Sequence, residues 1–186
     1  MPDAIEREIK LSYDSPAAAR RAVVEAGATP LRARRLQSDC LLDRETEPLA
    51  KRHNTLRIRV DGADRAYVTF KGAPVLSKTK VREELETTVG DGALLLKLFE
   101  RLGFHVWFRY QKYREEFRSG DLMIAVDEAP IGTFVELEGS EKDILAMAKT
   151  LGRPTSDFVL DSYLALFRKH RAARGSTATH MLFDEP

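Results

Sequence analysis

Glu6, Glu8 and Lys10 stand at alternate positions early in the chain, and Glu136 and Glu138 do the same far downstream. On an extended strand, residues two apart point to one side. Each glutamate pair is therefore placed to address a single hard cation through oxygen, the ligand type that Mg2+ and Mn2+ prefer. The alternation recurs in Arg57 and Arg59, in Thr69 and Lys71, in Arg82, Glu84 and Glu86, and in Lys112 and Arg114, with Asp127 close by. Counting Glu6, Glu8 and Lys10, these positions bring together seven carboxylates and seven basic groups. Ile58, Val68, Phe70, Leu85, Val135 and Leu137 fall on the opposite faces. Carboxylates that hold a cation, beside Lys and Arg that neutralise anionic oxygens, match the needs of a metal–polyphosphate complex. An ionic strand face is also what a solvated surface presents, with cross-strand pairs worth roughly 0.2–1 kcal/mol each. One strand alone decides nothing; recurrence on strand after strand points to a face that curls inward into a lumen.

The elements that must carry these residues follow from periodicity and punctuation. Period-two alternation marks strands at 4–11, 56–60, 65–71, 80–89, 104–118, 122–126 and 134–138, with an extended stretch over 31–43. Asp61-Gly62 signals a tight hairpin between two of them. Ser15 and Pro16 open a helix that stops at Gly27, and a second runs from Gly92 to Leu102 before Gly103. Helices are also expected over 141–151 and 159–171. Helices confined to the stretch after strand one, the middle and the end give an α+β fold dominated by an antiparallel sheet. Closing that sheet into a β-barrel would remove its edges.

With 186 residues the chain suits one domain. Lys and Arg number 30 against 29 Asp and Glu, so no large field draws the whole molecule onto nucleic acid or a membrane, and any anion site is local. A single cysteine, Cys40, excludes a disulfide framework or a cysteine-rich zinc site and fits a reducing cytoplasm. The stretch from Met1 to Lys10 lacks the apolar core of a signal peptide, and no run approaches a membrane span, so a cytoplasmic protein is expected.

Glu6-x-Glu8-x-Lys10 resembles the ExExK signature of the CYTH family, the triphosphate tunnel metalloenzymes. The likeness continues in order through Gln37-Ser38-Asp39, Leu56-Arg57-Ile58-Arg59, Thr69-Phe70-Lys71-Gly72, Arg82-Glu83-Glu84-Leu85-Glu86, Lys112-Tyr113-Arg114, Asp127 and Phe134-Val135-Glu136-Leu137-Glu138. It implies a closed antiparallel β-barrel of about eight strands with flanking helices, in one domain over 1–173 followed by a flexible tail over 174–186. It further implies that Glu6, Glu8, Glu136 and Glu138 bind Mg2+ or Mn2+. Lys10, Arg57, Arg59, Lys71, Arg82, Lys112 and Arg114 would then bind a triphosphate, and Glu86, Asp127 and Lys10 are the candidates for catalytic roles. The family includes class IV adenylyl cyclases, thiamine triphosphatases and inorganic triphosphatases. Hydrolysis is the favoured expectation, cyclisation of ATP the second and a non-catalytic binding module the third, because the residues above account for triphosphate and metal whereas none of them reads a base. The expected partner is a small triphosphate, with no nucleic acid or membrane, and the resemblance allows a homodimer. Leu41-Leu42 stand where the family often has aromatic residues, and Gly72 to Lys80 is a short segment; both bear on what lies beyond the phosphates.

Four other features read plainly. His53, His105, His170 and His180 are scattered and form no metal motif. Cys40 reads as a packed thiol. Trp107, Phe108 and Tyr110 are expected in the core more than on a base. Arg168-Lys169-His170-Arg171 is as well explained by a solvated helix face as by contact with a tunnel mouth.

Overall fold

The computed structural model describes residues 5–62 and 65–183. Nine strands form one antiparallel sheet in the order β1-β9-β8-β7-β2-β3-β4-β6-β5, and β1 also pairs with β6. Eight of them therefore close on themselves, and β5 (Val75–Leu76) lies outside the ring on β6. The closing strands are β1 (Ile5–Tyr13), β2 (Thr29–Arg44), β3 (Thr55–Asp61), β4 (Arg65–Lys71), β6 (Lys80–Val89), β7 (Phe104–Ser119), β8 (Leu122–Ala129) and β9 (Gly132–Glu138). The Asp61-Gly62 hairpin joins β3 to β4 as the sequence suggests, although residues 63 and 64 of its turn lie outside the described residues.

Closure puts the apolar faces outside, and helices cover them. Helix α1 (Pro16–Glu25) starts where the Ser15 hydroxyl accepts from the Ala18 amide at 3.2 Å. With α3 (Glu141–Thr150) it buries Ala19, Val23, Ile144 and Met147 against Ile9, Leu11, Phe117, Ile124, Val135 and Leu137 of the barrel. Helix α2 (Gly92–Arg101), capped by the Asp91 carboxylate on the Leu94 amide, covers Leu42, Leu56 and Ile58 with Leu95, Leu96 and Phe99. A Cβ on Gly92 would come within 2.9 Å of the Ala66 Cβ, so glycine is what lets the start of α2 rest on β4. On the outer side of β6, Leu85 is 51% exposed.

Two expectations need correction. The last helix, α4, spans Tyr163–Arg174 instead of beginning at Val159. Val159 exchanges two backbone hydrogen bonds with Lys10, and the Ser162 hydroxyl caps the helix on the Ala165 amide. The chain beyond α4, expected as a loose tail, returns to the barrel over residues 175–183, and residues 184–186 of that expectation lie outside the described residues. Met181 is 1% exposed, its amide donates to the Arg109 carbonyl and its carbonyl accepts from the Gln111 amide. Phe183 packs on Tyr113 with ring centroids 5.2 Å apart. Among the described residues no helix is long and apolar enough to cross a membrane.

Candidate active site

Because side chains alternate across each strand, closure delivers the ionic positions to the inside. Registry then fixes neighbours: Glu8 lies opposite Glu138 and Lys10 opposite Glu136, while across the other edge of β1 Glu6 faces Arg82 and Glu8 faces Lys80. Lys71 lies opposite Glu84, Arg57 opposite Thr69, Asp39 opposite Arg59 and Arg114 opposite Asp127. These walls enclose a cavity of about 710 Å3, lined by every predicted site residue except Asp127.

Within the walls most charges are paired. Glu6 receives Lys71 at 2.8 Å and Arg82 at 2.7 Å; Glu8 receives Lys80 at 2.7 Å and Lys10 at 3.3 Å. Burial pushes the Glu6 and Glu8 carboxyls up, but the neighbouring cations win: Glu6 is held far below the usual range beside Lys71 and Arg82, and Glu8 falls to about 2 beside Lys10 and Lys80. Glu136 is bonded by Arg114, with Lys10 at 3.5 Å, and stays ionised in spite of its burial. Lys10 is 2% exposed, yet Glu8 and Glu136 outweigh its desolvation and raise its pKa, so it is a permanent cation. Lys112 goes the other way, down to about 8, through burial and the adjacent Arg114.

Glu138 differs from the others. Its carboxylate reaches the water of the lumen, and no ion pair or hydrogen bond ties it down among the described residues. Burial first, and then the charges of Glu6 and Glu84, raise its pKa to about 7 against the attraction of Lys71. Glu84 is likewise raised, by burial and by Glu6 against the pull of Lys71. At both carboxyls burial and the neighbouring carboxylates outweigh the attraction of Lys71.

Asp127 is sealed under the wall, 0% exposed, and accepts from Lys112 at 2.7 Å, from Arg114 at 2.7 and 2.6 Å and from the Tyr163 hydroxyl at 2.7 Å. Glu86 is open to the lumen and accepts from the Thr69 hydroxyl at 2.7 Å and from Arg57 at 3.2 Å. The Arg57 Nε, 3.5 Å from the Asp39 carboxylate, and the Gln37 Oε1 are buried polar atoms without a hydrogen-bond partner among the described residues. Among the described residues no three His, Cys, Asp or Glu side chains stand at metal-holding spacing. The donors suit Mg2+ or Mn2+ in kind, and the surplus charge at Glu138 is what a cation would neutralise. Glu6, Glu8 and Glu136, however, are held by Lys and Arg in this arrangement.

Several wall residues escaped the sequence reading. Lys80 continues the alternation of Arg82, Glu84 and Glu86 by one more step and could have been found that way. Asp39, 1% exposed, anchors Arg59 at 2.8 Å and stands two residues from Gln37 on the same face of β2. Tyr163 gave no strand signal because it comes from α4; its ring lies 4.7 Å from the Lys112 ammonium and 5.4 Å from that of Lys10.

Known proteins share this architecture. A Vibrio parahaemolyticus structure described as a putative adenylate cyclase superposes with a TM-score of 0.77 at 18% identity, covering 88% of this chain and 98% of that one. A Hippeastrum protein described as a putative adenylyl cyclase with a dominant triphosphatase activity superposes at 0.66 with 22% identity, covering 93% and 97%. In sequence, a Methanocaldococcus jannaschii protein named putative adenylate cyclase is 27% identical over 173 residues, covering 87% of this chain and 98% of its own length. The family model for the CYTH domain matches residues 4–163, and the chain accordingly belongs to the CYTH family.

Proposed function

We propose that this protein is a divalent-metal-dependent triphosphatase that draws a triphosphate into the barrel and releases its terminal phosphate. The observation that carries the reading is the lumen itself: a basic wall beside a group of carboxylates, of which Glu138 makes no ion pair or hydrogen bond among the described residues.

Lys10, Arg57, Arg59, Lys71, Arg82, Lys112 and Arg114 bind the phosphate oxygens, with Lys80, which the structure adds to the set. Lys10 remains charged at any working pH, so it stabilises negative charge and exchanges no proton. Glu138, with Glu6, Glu8 and Glu136, would hold Mg2+ or Mn2+. When bound, the cation supplies Lewis-acid neutralisation of phosphate oxygens. Displacement of Lys71, Arg82 and Lys80 from Glu6 and Glu8 onto the substrate would free those carboxylates, so substrate and metal favour each other's binding.

Of the two carboxylates considered as bases, Asp127 has its oxygens occupied by three side chains and no access to water, which suits it to positioning Lys112 and Arg114. Glu86 faces the lumen with room for a water. In the proposed step Glu86 accepts a proton from that water as its oxygen bonds to the terminal phosphorus, and the bridging P–O bond breaks, releasing orthophosphate and a diphosphate. Positioning and charge stabilisation account for the rest, with no covalent enzyme intermediate.

The names of the Methanocaldococcus jannaschii and Vibrio parahaemolyticus relatives favour a second reading, in which the ribose 3′-hydroxyl of ATP attacks the α-phosphorus and pyrophosphate leaves. A cytoplasmic setting, where Cys40 stays reduced, accompanies either reading. The test is to incubate the pure protein with Mg2+ or Mn2+ and inorganic triphosphate, thiamine triphosphate or ATP, and to resolve phosphate, pyrophosphate and cyclic AMP. Orthophosphate that disappears with chelator, and in Glu6→Ala and Glu138→Ala, is expected. Cyclic AMP with pyrophosphate moves the assignment to a cyclase, and no turnover in any mixture leaves a binding module.

A further inference from the structure

The triphosphate-binding residues fill the middle of the barrel, but the cavity continues to the end where α4 begins, and its chemistry changes there. Leu41, Leu160 and Leu164 line that end together with Trp107 and Arg168. A register shift brings Trp107 to the opening. Leu41 pairs with Phe108, but Leu42 pairs with Val106, so Trp107 is the extra residue of a β-bulge. Consecutive strand residues normally point to opposite faces, whereas here the Trp107 and Phe108 rings are 6.1 Å apart. Phe108 is 2% exposed and packs on Phe167 of α4, while Trp107 keeps part of its indole uncovered. The Arg168 guanidinium, exposed on α4, lies 5.9 Å from the Trp107 ring.

A tunnel for inorganic polyphosphate alone has no use for an indole and three leucines at its opening. An apolar slot with a half-exposed indole and one guanidinium beside it suits a neutral planar heteroaromatic ring, which stacks on the indole while the guanidinium donates to ring nitrogens or carbonyls. A cationic ring such as the thiazolium of thiamine would meet the like charge of Arg168. From Trp107 to Lys112 is five residues of β7, roughly 12 Å along the axis for a strand rise of about 3.3 Å and a tilt near 40°. Ribose and the inner phosphates fill such a span.

We propose that the mouth formed by Trp107, Arg168 and Leu164 is a base-binding subsite, which makes the preferred substrate a nucleoside triphosphate in place of inorganic or thiamine triphosphate. The proposal rests on the triphosphate reading of the lumen and deepens it, since the base at this mouth fixes which way the phosphate chain runs.

Trp107 is the only tryptophan of the chain, so its fluorescence reports the subsite without labelling. Titration of the whole protein with β,γ-methylene-ATP and Mg2+ is expected to quench that emission saturably, whereas inorganic triphosphate with Mg2+ leaves it unchanged. Trp107→Ala is expected to raise KM for ATP roughly tenfold, in keeping with stacking energies of 1–3 kcal/mol per base. Its kcat for ATP and its KM for inorganic triphosphate should stay within about twofold. Trp107→Phe restores most of the ATP affinity, and Arg168→Ala improves kcat/KM for thiamine triphosphate. Equal quenching by the two ligands, or KM shifts alike for ATP and inorganic triphosphate, overturns the subsite. Saturable quenching by the nucleotide alone, with no hydrolysis of any substrate, upholds the subsite and refutes the triphosphatase.

Discussion

At the scale of single residues, Glu138 is set apart by a carboxyl that makes no ion pair among the described residues. Burial and the charges of Glu6 and Glu84 outweigh the attraction of Lys71 and raise its carboxyl to about 7. Glu138→Gln should therefore abolish metal-dependent turnover, by about a hundredfold or more, while leaving the melting temperature of the metal-free protein unchanged or slightly higher, as calorimetry would show. Asp39 presents the opposite case. It is buried, and Arg59 and Arg57 hold its carboxyl below the usual range in spite of desolvation. A depressed folded-state pKa means stability that is fully present above the unfolded value, near 3.9, and is lost as pH falls through the folded value. Asp39→Asn should cost roughly 3–5 kcal/mol at pH 7, because two guanidinium groups lose their buried partner. It should also flatten the acid limb of the stability profile measured by urea unfolding at a series of pH values. The paired glutamates and most of the basic wall were legible from alternation alone. What alternation could not show was which carboxylate would be left unpaired, because that depends on which strands become neighbours at closure.

At the scale of elements, α4 is a working part of the site. It brings the Tyr163 hydroxyl to Asp127, burial and that carboxylate keep the phenol protonated and donating, and Phe167 rests on Phe108. Met181 and its backbone pairing with β7 hold the return segment against the same cluster. Met181→Ala should destabilise the fold by about 2 kcal/mol or more, the usual cost of truncating a buried methionine. It should lower kcat through Tyr163 more than it raises KM. Tyr163→Phe isolates the second effect: a kcat loss with a stability change near 1 kcal/mol would locate the contribution in the hydroxyl. The strands and the start of α1 were readable because alternation, Ser15 and Pro16 announce them, and α2 because its apolar residues recur at helical spacing from Gly92. The start of α4 was misplaced because Val159 carries on an apolar pattern while its backbone pairs with Lys10, a long-range contact that no local rule contains. The Trp107 bulge was hidden for the same reason, being a property of the β2–β7 register.

At the scale of the whole molecule, a net charge of +1 conceals a strongly ionic interior, so substrate binding is governed by the lumen and hardly by long-range attraction. A triphosphate with Mg2+ that binds only the folded barrel at a hundred times its Kd should add about 2.7 kcal/mol, which for a chain of this size corresponds to a melting shift of roughly 5–10 °C in scanning fluorimetry. A shift below about 2 °C at saturation would mean that the ligand binds outside the closed barrel.

Closure at β1 also sets the order of assembly during synthesis. The strand bearing Glu6, Glu8 and Lys10 emerges before the other strands of the barrel, finds β6 some seventy residues later and meets β9, with Glu136 and Glu138, only after residue 138 has appeared. Until then the glutamates of β1 have no facing pair, and the strand itself has an unsatisfied edge, the kind of nascent surface that chaperones recognise. Pairing of such high sequence separation is slow to form, so the ring shuts late and the reactive chamber comes into being together with the native state. A partly folded chain therefore holds no half-built lumen.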